Sequence, residues 1–360
     1  MKAAVCYEFN KPWVVEEVEL DPTRKGEVKV RLAATAVCHS DIHASQGDMA
    51  DTVPFVGGHE SAGYIEEVGE GVTSVKPGDP VVASLLGSCG KCLYCLTGLP
   101  HLCPVMAPFA NPKSRAVNKK GQRLIQSANI GSFAEYTILD KSQVVKIPKD
   151  MPMDRAALLA CGFITGFGAV VNRAQIKPLS SVVIIGTGGV GISAVQGAAL
   201  SGAYPIIAVD ILDNKVEAAR TFGATHTVNS KKEDAIEAVR KMTAGQGADY
   251  AFVTVGSIEA IQQGLSMLGP RGTAVIVGVP AHTKTLTLSP LEFLGGEKTL
   301  TACQMGSTNL QVHIPKIVAL YKAGLIKLDE MITGRYPLEQ INEAQASVIK
   351  GEALRNVIVF

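Results

Sequence analysis

The chain has 360 residues, 47% of them apolar and 19% charged, with a formal net charge of +1. That length suggests two domains with a sizeable core, and the neutral balance removes any electrostatic reason to expect nucleic acid or an anionic membrane as partner. No apolar run reaches the roughly 18 residues that span a bilayer, and the opening Met1-Lys2-Ala3-Ala4-Val5-Cys6-Tyr7 turns polar too soon for a signal peptide.

The first ~150 residues are dense in short β signals. Val28-Lys29-Val30-Arg31-Leu32 alternates, as does the stretch 63–68, and Gly57-Gly58 and Lys76-Pro77-Gly78-Asp79-Pro80 read as turns between strands. This pattern predicts a compact, mostly antiparallel β unit. Residues 104–130 read as a polar, irregular excursion. From about residue 160 the pattern changes. Continuous apolar runs at 181–185, 205–209, 250–255 and 273–279 suit buried parallel strands. Helical segments at 190–202, 213–222, 232–243 and 257–268 lie between them, and alternation at this pitch predicts an α/β doubly wound parallel sheet. The tail carries a helical piece at about 313–323 and a final strand at 356–360.

Cys89, Cys92, Cys95 and Cys103 form Cys-Gly-Lys-Cys-Leu-Tyr-Cys with a fourth cysteine eight residues on. Four thiolates at this spacing make a closed tetrahedral site, which suits a structural Zn²⁺ and leaves no open position for chemistry. A pair of disulfides is the alternative. The remaining thiols are far apart in sequence, and thiolate metal sites fit a reducing compartment, so the expected location is the cytoplasm.

Gly186-Thr187-Gly188-Gly189-Val190-Gly191 is a G-x-G-x-x-G that follows a buried strand and opens a helix rich in small residues, the context of a dinucleotide site. Gly186 permits the turn, Gly188 lets backbone approach a pyrophosphate, and Gly191 lets the helix sit close to the sheet. Gly189 and Val190 lie at the helix start, where free N–H groups and the dipole favour phosphate. Asp210 ends the second strand, nineteen residues after Gly191. A carboxylate there accepts from both adenine-ribose hydroxyls. Against a 2′-phosphate it would cost on the order of 4 kcal/mol at about 4 Å and an effective dielectric near 20, so NAD is expected over NADP. An N-cap is the alternative role for Asp210. Lys215 either reaches the same ribose or is a solvated helix lysine.

Cys38, His59 and Cys161 stand outside the four-cysteine loop. Two thiolates and an imidazole leave a fourth position open, as in catalytic zinc sites. Their spacing alone does not join them; a buried cysteine and an unrelated histidine explain it as well.

Taken together, Cys38-His39-Ser40-Asp41, Gly58-His59-Glu60, the Cys89/92/95/103 lobe, Cys161-Gly162-Phe163-Ile164-Thr165-Gly166, the Gly186 loop and Asp210 resemble the zinc-containing medium-chain alcohol dehydrogenases, from Met1 to Phe360. The resemblance implies a GroES-like catalytic domain at 1–162 with the zinc lobe at about 88–104, an NAD-binding Rossmann domain at 163–302, and a segment 303–360 returning to the catalytic domain. It implies two Zn²⁺ per chain, the catalytic one on Cys38, His59 and Cys161. Asp41 would hold His59 by its second ring nitrogen, or else be a turn aspartate. Glu60 would lie behind the metal and exchange with a ligand, or else be a buried acid paired with a base. Ser40 would take the alcohol proton and pass it through the nicotinamide ribose to His43, since a hydroxyl relay ending in an imidazole suits proton release at neutral pH; a surface histidine is the alternative. His39 and Arg355 would meet the pyrophosphate, with a solvated arginine as the other reading of Arg355. Thr165 would pack on the nicotinamide, and Val255, Val277 and Val279 complete the cofactor contacts.

The implied reaction is hydride transfer between an alcohol and NAD⁺, in a cleft between the domains. Leu85, Met49, Val279 and Cys303 give an apolar, open pocket, which favours medium, cyclic or aromatic alcohols and their aldehydes or ketones. A thiol-dependent formaldehyde dehydrogenase is disfavoured by Val105-Met106-Ala107, where that branch has a basic residue, although Lys113 and Arg115 stand close by. A member that holds its cofactor tightly and passes hydride to an acceptor is the other enzymatic reading. A non-catalytic zinc- and nucleotide-binding protein would lack a ligand or relay residue, and none is lacking. The stretch between Cys103 and Phe133 is longer than in the short tetrameric bacterial members, which resembles the dimeric branch, so a homo-oligomer is expected, a dimer before a tetramer, paired through an edge strand at 274–279.

Overall fold

Among the residues that the computed structural model describes (1–49, 52–107, 112–281 and 283–360), the strands fall into three sheets and the chain into two units. One unit comprises Met1–Cys161, Asn309–Ala323 and Leu328–Phe360; the other comprises Gly162–Thr308 and Gly324–Lys327. The stretches 303–308 and 324–327, read from sequence with the returning tail, therefore belong with the parallel sheet. Among the described residues, no helix is long and apolar enough to cross a membrane.

The first unit holds two β layers. A closed barrel joins Lys2–Cys6, Val14–Leu20, Ser114–Asn118, Arg123–Gln126 and Phe55–Val56 in that order. A seven-stranded sheet runs Val144–Lys146, Pro80–Ser84, Glu60–Val68, Glu27–Val37, Arg355–Val359, Ile332–Tyr336, with Tyr136–Asp140 also paired to Glu27–Val37. Pairing is antiparallel except for Phe55–Val56 with Arg123–Gln126 and Ile332–Tyr336 with Arg355–Val359. Part of the expected irregular excursion is thus a β-hairpin, 114–118 with 123–126, closed by Gly121 at φ 78°. Its polar residues hid it. Arg115 is buried in ion pairs with Asp21 and Glu27, at 2.9 and 2.7 Å, so a charged side chain occupies an inward strand position. The four residues 108–111 lie outside the described set.

Trp13, Phe55 and Phe133 meet edge to face at 5.6 and 5.7 Å, and the tail helix Ile341–Ile349 packs Ile341, Ala344 and Val348 into the same cluster. Trp13 Nε1 donates to Gln345 Oε1 at 2.7 Å, which satisfies the one polar atom of the indole. The tail helix thereby becomes part of the first unit's core.

The second unit is a six-stranded, wholly parallel sheet in the order His226–Asn229, Ile206–Asp210, Val182–Ile185, Ala248–Val253, Leu268–Ile276, Thr299–Ala302. Val182–Ile185 is buried throughout, as a central parallel strand requires. The winding reverses beside it, and ligands of such sheets bind at that switch point. Two strands escaped the sequence reading, His226–Asn229 and Thr299–Ala302, each only four residues long and without a continuous apolar run. The second of them corrects the expected pairing edge. Residues 274–276 lie in an interior strand, and the edge on that side is Thr299–Ala302. The intervening helices are Gly189–Leu200, Asp213–Thr221, Ala235–Met242 and Ile258–Ser266.

Phe133 is completely buried against Trp13 and the Gly57–Gly58 turn. Phe133→Ala should destabilise the first unit by about 3–5 kcal/mol through lost contacts and a cavity. A lower urea midpoint, followed by fluorescence of Trp13, the sole tryptophan, would show it.

Candidate functional site

Sheet register assembles the buried metal-ligand cluster. Glu27–Val37 delivers Cys38 at its end, where the chain turns into the helix His39–Gln46 with Cys38 as N-cap. On one side Val37 pairs with Asn356, next to Arg355. On the other, Thr35 pairs with Ser61, two residues from His59. Glu60 pairs in turn with Ser84, whose hydroxyl donates to the Ala160 carbonyl and so tethers the chain just before Cys161. Ser84 is a supporting residue that no motif announces. Gly58 has φ 85°, and a Cβ there would lie 2.6 Å from the Phe133 amide nitrogen, so the turn into His59 tolerates only glycine.

The result is a fully buried quartet, Cys38, His59, Glu60 and Cys161, whose ligand atoms all lie within 4.8 Å of one another. Asp41 supports it with both oxygens. Oδ2 accepts from the Cys38 amide at 2.9 Å and Oδ1 accepts from His59 Nδ1 at 2.8 Å, which leaves His59 Nε2 turned to the cluster. Glu60 Oε2 is ion-paired with the buried Arg355 guanidinium, whereas Oε1 is buried without a hydrogen-bond partner, 4.0 Å from His59 Nε2. An unpartnered buried carboxylate oxygen beside two thiols and an imidazole nitrogen fits a zinc ion. Burial pushes the Glu60 carboxyl up to about 8 despite Arg355. Burial opposes charge on His59, but Asp41 and Cys38 together outweigh it and hold the ring well above its ordinary value. The hydrogen bond from Cys161 holds Cys38 well below the usual thiol range, while that bond and burial push Cys161 well above it. A cation in their midst would take the place of these protons.

Ser40 and His43 lie on one helix, three residues apart, so they share a face. Ser40 Oγ sits 3.7 Å from Cys38 Sγ. His43 Nδ1 is 3.2 Å from Asp48 Oδ2, a partner that the sequence reading passed over. His39 is exposed on the same helix. Arg355 is neither solvated nor free; its guanidinium is buried on Glu60.

The second cysteine cluster, Cys89, Cys92, Cys95 and Cys103, also brings four sulfurs within 4.8 Å. Gly90 at φ 71° and Gly98 at φ 82° shape the loop around the short helix Leu93–Leu96. No disulfide joins any of the eight cysteines, so the disulfide alternative is not adopted. The Lys91 backbone amide lowers Cys89 to about 6, and burial with the neighbouring thiols raises Cys95 to about 11. Four thiols at this spacing fit a closed zinc site.

In the second unit, a Cβ on Gly191 would stand 1.8 Å from the Gly186 carbonyl oxygen, and Gly186 has φ 88°. A Cβ on Gly188 would meet nothing within 4 Å. Gly188 caps the helix Gly189–Leu200 without any side-chain bond, so Val190 and its neighbours start a helix with open space before it, a cradle that fits a pyrophosphate. Asp210 accepts from the Thr187 amide and hydroxyl through Oδ2 and from the Ile211 and Leu212 amides through Oδ1. It thereby pins the glycine loop and caps the next turn. Lys215 is buried, and desolvation lowers its pKa against the pull of Asp210; the solvated alternative falls. Thr165 is buried and donates to Met305 Sδ at 3.6 Å. Val277 is buried, while Val255, beside Gly186, and Val279 are exposed.

Two family models match, "Alcohol dehydrogenase GroES-like domain" over residues 24–149 and "Zinc-binding dehydrogenase" over 189–322. The chain belongs to the zinc-containing medium-chain alcohol dehydrogenases. It is 40% identical over 365 residues to an NDMA-dependent alcohol dehydrogenase of Amycolatopsis methanolica, covering 99% of this chain and 98% of that one. Among solved structures, a benzyl alcohol dehydrogenase from Acinetobacter calcoaceticus matches with TM-score 0.93 and 33% identity, covering 100% and 99% of the two chains. An alcohol dehydrogenase zinc-binding domain protein from Burkholderia ambifaria matches with TM-score 0.95 and 34% identity, covering 100% and 98%. This alcohol dehydrogenase chain therefore has the mixed fold expected of it, a GroES-like β domain and a parallel Rossmann sheet.

Removing the Asp41 carboxylate frees His59 to rotate. Asp41→Ala should weaken metal binding about 10–100-fold, read as the chelator concentration that strips half of the metal.

Proposed function

We propose that the protein is an NAD-dependent zinc alcohol dehydrogenase that interconverts primary or secondary alcohols of medium, cyclic or aromatic type with their aldehydes or ketones. The observation that carries this reading is the buried quartet of Cys38, His59, Glu60 and Cys161 with one carboxylate oxygen unpartnered. A zinc ion bound there would serve as a Lewis acid that polarises the alcohol oxygen, and NAD would take up the hydride.

The remaining work falls to side chains. Cys38, Cys161 and His59 hold the metal, and Asp41 keeps the His59 ring in register. Glu60, with one oxygen on Arg355 and one unpartnered, is placed to offer a fourth ligand and withdraw it. Ser40 accepts the alcohol proton, and His43, on the same face of the helix, releases it to solvent. Gly188 makes room for the pyrophosphate, and Gly186 and Gly191 hold the turn and the helix that carry it. Thr165, Val255, Val277 and Val279 line the nicotinamide position. Asp210 and Lys215 receive the adenine ribose, and the Asp210 carboxylate disfavours a 2′-phosphate by like-charge repulsion. The four-cysteine lobe takes a second zinc that holds its loop. Partners are small molecules and a second copy of the chain in a homodimer.

The thiol-dependent reading loses one of its two cations, because Arg115 is buried on Asp21 and Glu27 and only Lys113 is left. The reading with a tightly held cofactor and an external acceptor is favoured by one observation, the name of the Amycolatopsis relative, NDMA-dependent alcohol dehydrogenase.

A panel of alcohols that includes benzyl alcohol, supplied with NAD⁺, NADP⁺, glutathione or NDMA, tests these readings. Rising NADH absorbance with NAD⁺ alone is the expected result; turnover only when NDMA is present would move the conclusion to the second reading. Cys38→Ala should abolish turnover in a folded protein that has lost one of two zinc ions. Cys92→Ala should lose the other zinc and mainly lower thermal stability. An active Cys38→Ala variant would sink the catalytic assignment.

A further inference from the structure

The helix that carries Ser40, Asp41 and His43 closes with a built C-terminus. Gly47 takes φ 83°, its N–H donates to the Ala44 carbonyl at 3.2 Å, and the Asp48 N–H donates to the His43 carbonyl at 2.9 Å. This left-handed closure folds the chain back over its last turn. A Cβ on Gly47 would also come within 3.2 Å of the Phe9 ring, so packing and φ both hold the turn in place. Asp48 is thereby tied to His43 twice: its amide to the carbonyl, and its carboxylate Oδ2 to the ring Nδ1 at 3.2 Å. The two side chains are 44% and 46% exposed, and an ion pair in that setting adds little to stability.

We propose that Asp48 is a positioning residue that fixes the tautomer of His43. This rests on the reading above in which His43 carries the alcohol proton. The two ring nitrogens are not equivalent, and the hydrogen bond at one decides which form the other takes. By accepting from Nδ1–H, Asp48 leaves the Nε2 lone pair as the ring's acceptor. An imidazole without a partner favours the opposite tautomer, protonated at Nε2, which cannot accept there. In turnover, Nε2 takes the incoming proton, the ring becomes imidazolium, and the same nitrogen gives that proton to water. The Nδ1 proton stays on its nitrogen throughout, and the Asp48 carboxylate stabilises the transient positive ring without itself being protonated, the division of labour seen wherever a carboxylate orients a catalytic histidine.

The substitutions disturb neither cap, because the closing bonds are backbone to backbone. In NMR spectra of protein carrying isotope-labelled histidine, the His43 signal is identified by its loss in His43→Gln. It should report protonation at Nδ1 in the unaltered protein and in Asp48→Glu, and at Nε2 in Asp48→Ala. With alcohol as substrate, Asp48→Ala should lower kcat about 3–10-fold, a fraction of what a general base supplies, with KM little changed, and should add nothing in the His43→Gln background. Protonation at Nε2 in the unaltered protein overturns the proposal. So does an equal loss from Asp48→Ala in both backgrounds, which marks a structural effect. Full turnover in His43→Gln overturns the proton-carrying reading, and with it the role given to Asp48; the tautomer measurement tells that failure apart from a failure of the pairing itself.

Discussion

Asp41 accepts two hydrogen bonds, from the Cys38 amide and from His59 Nδ1, and the arrangement of the metal-ligand cluster depends on both. The first bond closes the helix start at Cys38 and so sets the direction of that thiol. The second fixes the imidazole of a residue eighteen positions later, with Nε2 facing the sulfurs. One carboxylate thus couples a helix cap to ligand geometry, and both bonds are buried, where loss of a partner leaves a polar group stranded.

A buried cluster of two thiols, an imidazole, a carboxylate and a guanidinium is costly without compensation. Its members compensate one another through the hydrogen bond between Cys38 and Cys161, the Asp41–His59 bond and the Glu60–Arg355 ion pair. The balance is incomplete at Glu60 Oε1, and that deficit lies where a cation would complete the set. The surrounding scaffold is rigid for ordinary reasons. Strands pair on both sides of Glu27–Val37, and Ser84 anchors the approach to Cys161.

The second unit follows a similar economy. Asp210 spends its two oxygens on Thr187 and on the amides of Ile211 and Leu212. A residue read from sequence as a ribose acceptor, with capping as the alternative, also holds the loop that precedes the phosphate-binding helix. Glycines at 186 and 191 are required by contact, whereas Gly188 is bounded by empty space. Two of these glycines therefore serve the fold, and the third leaves room for a ligand.

Local chemistry made much of this legible in the amino-acid order. Continuous apolar runs announced the central parallel strands, the G-x-G-x-x-G announced the dinucleotide turn, and four closely spaced cysteines announced a metal lobe, because each of these depends on neighbours within about fifteen residues. The short strands His226–Asn229 and Thr299–Ala302 were not legible, since four residues carry too little pattern, and with the second went the true sheet edge. The hairpin at 114–126 was masked by Arg115, whose charge is neutralised by Asp21 and Glu27 from a distant part of the chain. Cys38, His59 and Cys161 were joined only by family resemblance; in space, strand register and the Ser84 tether bring them together. Arg355 reads from sequence as a phosphate ligand or a solvated side chain, and the fold sets it against Glu60, while Asp48 carries no motif and meets His43 only because Gly47 turns the chain back. Sequence fixes which side chains are available and how nearby residues arrange themselves; pairings across dozens or hundreds of positions are set by sheet register and burial, which exist only once the chain has folded.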